Sequence, residues 1–108
     1  MYVPFFTEHF KRSLKKLTKR NNILKKRVQM KVNDICNDPY HNSVELTAKF
    51  KGKRRIYIGK SGYRIIYTIC KECRMKNYQI FNLCSDCEQK GDEAIVFWDI
   101  QPRNVAYL

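Results

Sequence analysis

The segment KFKGKRRIYIGKSGYRIIYTI, residues 49–69, sets the framework of the chain. Two stretches in it, RRIYIG (54–59) and YRIIYTI (63–69), are rich in Ile and Tyr, which suit a pleated, half-buried surface. Lys60, Ser61 and Gly62 between them read as a hairpin turn, so the two stretches are expected to pair as antiparallel strands. EAIVFWDI (93–100) supplies a third strand, apolar almost throughout and therefore expected in the interior of the sheet.

Upstream of this framework the period changes. YVPFF (2–6) is apolar and extended, with Pro4 restricting it to an edge or a strand start. Thr7 and Glu8 suit a helix entry, after which Phe10, Leu14 and Leu17 recur at helical spacing opposite Lys11, Arg12, Lys15, Lys16 and Lys19. Asn21 and Asn22 break that helix. In the next one Leu24, Val28, Val32 and Ile35 form a stripe, and CNDPY ends it because Pro39 disfavours helix at Asp38. Both stripes need an apolar platform. The expected fold is α+β: two N-terminal helices packed on one face of a small antiparallel sheet, in the order β-α-α-β-β-β. With 108 residues and no linker or repeat, one domain spanning 1–108 is expected.

The chain carries 22 Lys and Arg against 10 Asp and Glu, a formal charge of +12. Such an excess in a small domain points to a polyanionic partner, nucleic acid above all. No stretch is long and apolar enough to span or anchor in a membrane. The N-terminus lacks the charged-then-apolar order of a secretory signal, so a cytoplasmic location with reduced thiols is expected. Five cysteines, an odd number, also fit poorly with a simple disulfide framework.

Four of the five form two Cys-x-x-Cys pairs, Cys70/Cys73 and Cys84/Cys87, enclosing ten residues. Each pair places two thiolates on one turn, and two such turns complete a tetrahedral sulfur shell, the ligand set that zinc favours. A zinc-binding knuckle over 70–92, inserted between the last two strands, is therefore expected. Two local disulfides are the alternative. A zinc ion with four cysteine ligands has no open position and is structural rather than catalytic. Lys71, Arg74, Lys76 and Lys90 would partly offset the net charge of −2 on such a site. Cys36, beside Ile35 on the second helix, reads as an ordinary buried small residue.

No Gly-rich phosphate loop and no Gly-x-Ser-x-Gly turn is present. His9, at a helix start, and His41, in a loop, are the only histidines, and carboxylates are scattered. Cations and tyrosines instead gather near strand ends: Lys53, Arg54, Arg55, Tyr57, Lys60, Tyr63, Arg64, Arg103 and Tyr107. The ordinary readings of several are packing for Tyr63, Tyr67 and Trp98, and edge charges that discourage strand pairing for Lys53 and Arg54.

KFKG followed by a strand, a tight turn and SGYRIIY resembles the RelE-type toxins, ribosome-dependent messenger-RNA endonucleases of toxin–antitoxin pairs. FTEHFKRSLKKL is similar to their first helix, NDPY to their helix stop and QPRNVAYL to their C-terminal Arg and Tyr. The resemblance spans the chain apart from residues 70–92. It implies a RelE-like fold, an antitoxin partner, and ribosome and messenger RNA as targets. It also implies catalytic roles for Arg64, Arg103, Tyr107 and Arg55, with Lys49, Lys51, Lys53, Arg54, Lys60 and Tyr57 on the RNA path. Tyr57 stands where some members have a catalytic lysine, and Gln101-Pro102 replaces the more usual Gly-His. The reaction implied is metal-independent attack by the ribose 2′-hydroxyl. Two other functions stay open: a non-enzymatic toxin similar to the gyrase-poisoning ParE proteins, and a zinc-ribbon regulator that binds nucleic acid through RMKNYQIFNL.

Overall fold

The structure, a computed structural model, describes residues 1–82, 84 and 87–104. In chain order it comprises β1 (Val3–Phe6), α1 (Glu8–Thr18), α2 (Asn22–Asn37), β2 (Val44–Glu45), β3 (Arg54–Tyr57), β4 (Tyr63–Ile69), α3 (Cys70–Met75), α4 (Gln79–Asn82) and β5 (Ala94–Pro102). The Thr7 side chain caps α1 by accepting from the Phe10 amide at 3.0 Å, and its hydroxyl donates to the Trp98 carbonyl at 3.0 Å. One residue thus fixes both the start of the helix and its place beside β5. Asn21, expected only to break the first helix, also caps the second by accepting from the Leu24 amide at 3.0 Å.

The five strands lie in the order β1-β5-β4-β3-β2. The β3–β4 and β4–β5 pairings are antiparallel as expected, but β1 runs parallel to β5, so the sheet is mixed. Apolar pattern reveals a strand without its direction. The direction is fixed by Phe6 stacking on Phe97, with ring centroids 5.1 Å apart, after the chain has entered beside Ala94. The two-residue β2, which pairs with β3, has too little pattern to be read from sequence. Strand β3 stops at Tyr57 because Ile58 already belongs to the turn, its amide donating to the Tyr63 carbonyl at 2.9 Å. Gly62 completes that turn with φ +86, a region closed to most side chains.

On one face, Phe10, Leu24, Val28, Ile35 and Cys36 meet Ile56, Ile65, Tyr67, Ile69, Ile95, Phe97 and Ile100 in the main core. Complete burial of a side chain such as Phe97 contributes about 1.5–3 kcal/mol. Leu14, Leu17, Val32 and Tyr63 pack around its rim. Cys36 is thus the ordinary buried residue that its neighbours suggested. A smaller cluster of Cys70, Ala94 and Val96, with Trp98 half-buried beside it, occupies the opposite face. Trp98 donates from Nε1 to the Thr68 hydroxyl at 2.7 Å, and that hydroxyl donates to the Gly52 carbonyl at 2.8 Å. The β4–β5 connection, which holds α3 and α4, folds down over this face. Among the described residues no helix is long and apolar enough to cross a membrane.

Candidate active site

Strand register builds the site. Tyr57 pairs with Arg64 across β3 and β4, and Arg64 pairs with Gln101 across β4 and β5. The three side chains therefore form one row across three strands. Arg55, two residues before Tyr57, shares its face of the sheet.

Around Tyr57 the arrangement is cationic. The Arg103 guanidinium lies 3.8 Å from the ring centroid and that of Arg55 lies 4.3 Å away. Arg103 is exposed and is fixed through its backbone, its amide donating to the Gly62 carbonyl at 2.8 Å. Arg64 is different, being only 3% exposed. Its Nε and Nη2 donate to Gln101 Oε1 at 3.2 and 2.8 Å, and Nη1 donates to the Arg103 carbonyl at 3.3 Å. Arg64 thus holds the strand end that carries Arg103.

Asp99, which sequence reasoning missed, extends this network. Its carboxylate accepts from Gln101 Nε2 at 2.8 Å, from the Ser13 hydroxyl at 3.2 Å and from the Ile100 amide at 2.8 Å. His9 Nε2 lies 3.1 Å from the same carboxylate. The one available signal was a lone acid at the end of the apolar run EAIVFWDI.

The residues expected in catalysis or on an RNA path divide into groups. Arg55, Tyr57, Arg64 and Arg103 come together, and Lys60 is exposed on the adjoining turn. Lys49 and Lys51 are exposed before the far end of β3, where Lys51 stacks on Tyr78 and Phe81 at 5.6 and 5.9 Å. Lys53 and Arg54 turn inward. Lys53 donates to Asn82 Oδ1 at 2.8 Å and covers the Trp98 ring at 4.9 Å. Burial holds its ammonium below the ordinary value, with Cys84 and Cys73 opposing. Arg54 forks onto Glu72 at 2.9 and 2.7 Å, stacks on Tyr40 at 5.0 Å and donates to the Ser43 hydroxyl. Burial alone would raise the Glu72 carboxyl, but Arg54 and then Lys76 outweigh it and hold the group below its usual range. Tyr107 lies outside the described residues.

The cysteine segment occupies the other end of the sheet. β4 runs from Tyr63, paired with Pro102 beside the site, to Ile69, next to Cys70. Seven strand residues separate the two regions by about 20 Å. Cys70 and Cys73 are buried, Cys84 and Cys87 half-buried, and none of the five cysteines is in a disulfide. Burial pushes the Cys70 thiol up to about 11, with Cys84 and Cys87 adding to the rise and Arg74 and Lys90 opposing it. Among the described residues no group of three or more His, Cys, Asp or Glu side chains is already drawn together around an ion position.

No protein-family model matches the chain. No curated protein matches it either. Solved structures do. A chain of the toxin–antitoxin complex RelBE2 from Mycobacterium tuberculosis matches with a TM-score of 0.61 at 20% identity, covering 94% of this chain and 98% of that one. The YoeB–YefM complex from Staphylococcus aureus gives 0.63 at 13% identity, covering 99% of each chain. YafQ from E. coli strain BL21(DE3) gives 0.60 at 11% identity, covering 95% of this chain and 94% of that one. At these identities the likeness defines the fold: the chain has the α+β fold of RelE-, YoeB- and YafQ-type proteins over nearly its whole length.

Proposed function

We propose that the protein is the toxin of a toxin–antitoxin pair, an endoribonuclease that cleaves messenger RNA on the ribosome. The observation carrying this reading is the pair of guanidinium groups, Arg55 and Arg103, flanking one tyrosine ring at the end of the Tyr57–Arg64–Gln101 row. The shared fold supports it, since the neighbouring structures include toxin–antitoxin complexes.

Cleavage by the ribose 2′-hydroxyl needs little beyond charge and position. The 2′-oxygen attacks phosphorus as the bond to the 5′-oxygen breaks. The hydroxyl proton leaves and a proton returns to the departing oxygen, giving a cyclic phosphate and a 5′-hydroxyl. Negative charge grows on the non-bridging oxygens during attack. Arg103 is the group placed to receive it, with Arg55 as a second cation and Arg64 holding Arg103 in place. Tyr57, its ring covered by the two guanidinium groups, offers its hydroxyl as a contact to the 2′-hydroxyl. Arginine is a poor proton carrier at neutral pH, so proton transfer falls to Tyr57, Tyr107 or groups of the ribosome. The remaining exposed cations bind ribosomal and messenger RNA, and an acidic antitoxin masks them in the cytoplasm.

Induced expression followed by mapping of messenger-RNA ends tests the reading. Cuts within translated codons, lost in Arg103→Ala, are expected. Intact transcripts together with DNA-damage signalling would overturn it in favour of gyrase poisoning.

A further inference from the structure

We propose that Cys70, Cys73, Cys84 and Cys87 bind one structural zinc ion, which supplies the interior of the β4–β5 connection and ties it to β3. The proposal is independent of the cleavage reaction and concerns the end of the sheet remote from Tyr57.

The composition of the connection's interior is the first argument. Between Ile69 and Ala94 the buried ones among the described residues are Cys70, Glu72, Cys73, Asn82 and Lys90. Among the described residues its side chains Met75, Ile80 and Phe81 are instead 72%, 73% and 41% exposed. Among the described residues, then, the connection has no aliphatic core of its own. Short segments that cannot bury enough apolar surface are held by disulfides or a metal. Disulfides are absent here, and two Cys-x-x-Cys pairs remain.

The polar surroundings of the sulfurs are the second argument. Asn82 Nδ2 donates to Cys73 Sγ at 3.2 Å while its Oδ1 accepts from Lys53. Hydrogen bonds of this kind orient metal-bound thiolates and stabilise their charge. Arg74, one residue past Cys73, donates from Nη2 to the carbonyls of Cys87 and Lys90, drawing Cys87 toward the first pair. Lys53, bonded to Asn82, and Arg74, bonded to the Cys87 carbonyl, thus lie beside the cysteines. Four thiolates around Zn²⁺ carry net −2, and Lys53, Arg74 and Lys90 are placed to offset it.

The attachment to β3 is the third. Asn82 Nδ2 also donates to the Gly52 carbonyl at 3.3 Å, and Glu72 takes the Arg54 fork. Gly52 has φ +90, and a Cβ there would come within 2.8 Å of Asn82 Nδ2. The connection therefore approaches the backbone just ahead of β3 as closely as only glycine allows. Among the described residues no three of these side chains are yet drawn around an ion position, and zinc binding energy completes such sites as they fold.

The test is elemental analysis of protein purified without added metal, followed by cobalt(II) substitution and thermal unfolding. About one zinc per chain is expected, with thiolate-to-cobalt charge-transfer absorption on substitution. Cys84→Ser should weaken metal retention and, like chelation, lower the unfolding temperature by about 10 °C or more. Cys36→Ala should keep full zinc content even where it loosens the core. Two disulfides by mass, iron in place of zinc, or five reactive thiols in metal-free protein unaffected by chelator would each overturn the proposal.

Discussion

Replacing Arg103 and Arg64 in turn separates an arginine that meets the substrate from one that holds it there. The Arg103 guanidinium is exposed and lies 3.8 Å from the Tyr57 centroid. An exposed cation–π contact contributes about 0.5–1 kcal/mol, so Arg103→Ala should lower the unfolding temperature by only a few degrees. If Arg103 receives the developing charge, the same change removes a preorganised donor. Cleavage should then fall about 100- to 1,000-fold, or about 2.7–4 kcal/mol of transition-state stabilisation.

Arg64 should behave in the opposite way. It is 3% exposed and donates to Gln101 Oε1 and the Arg103 carbonyl. Each hydrogen bond from a buried charged group contributes about 1.5–3 kcal/mol, so losing these contacts should cost at least about 3 kcal/mol of stability. Arg64→Lys keeps the charge and the aliphatic stem but cannot fork, and it provides a milder variant where Arg64→Ala fails to fold. Single-turnover cleavage on saturating ribosomes, measured beside thermal unfolding, reads both quantities. A folded Arg64→Lys that is inactive beside an Arg103→Ala that cleaves at the wild-type rate would refute the division of roles and make Arg64 the phosphate contact.

Three further outcomes are expected. Glu72→Ala strands Arg54, whose side chain is 13% exposed in the pair, and should lower the unfolding free energy by about 3–5 kcal/mol; a loss below about 1 kcal/mol in denaturant titration would mean that the pair does not anchor the connection. Burial pushes the Tyr67 phenol up to about 12 from an ordinary 10, so its contribution of about 2–3 kcal/mol is complete below pH 10 and lost as pH rises from 10 to 12; alkaline unfolding with an unchanged pH profile in Tyr67→Phe contradicts this. RNA affinity should fall with salt at a logarithmic slope of about −2 or steeper if Arg55, Lys60 and Arg103 each meet a phosphate, and a flat titration shows that the charge is incidental.

The reading of residues 49–69 anticipated the β3–β4 hairpin because Ile and Tyr alternate there around a turn whose Gly62 has positive φ. Local pattern of that kind could also place α1 and α2, since their stripes are complete within each helix. It could not give the parallel direction of β1, which depends on Phe6 meeting Phe97 from the other end of the chain. The burial of Arg64 was hidden for the same reason, because Gln101 and the Arg103 carbonyl arrive only when β5 is in register. Lys53 and Arg54 illustrate the limit most clearly. In sequence they belong to the same basic run as Arg55, and strand alternation sets only Arg54 on the opposite face without naming a partner for either. The separation comes from Glu72 and Asn82, carried down on the β4–β5 connection, which claim Arg54 and Lys53 and leave Arg55 to Tyr57.

That sorting gives the sheet two ends with different work. At the Tyr57 end cations are left outward on an aromatic ring, an arrangement suited to a polyanion and costly only in mutual repulsion. At the Cys70 end cations are drawn inward onto a carboxylate, an amide and thiols, where each has a fixed partner. Roughly 20 Å of β4 lies between them. Changes in the cysteine segment should therefore reach the candidate active site through the stability of β3, which carries both Arg54 and Arg55. They should not reach it through direct contact with the reacting groups.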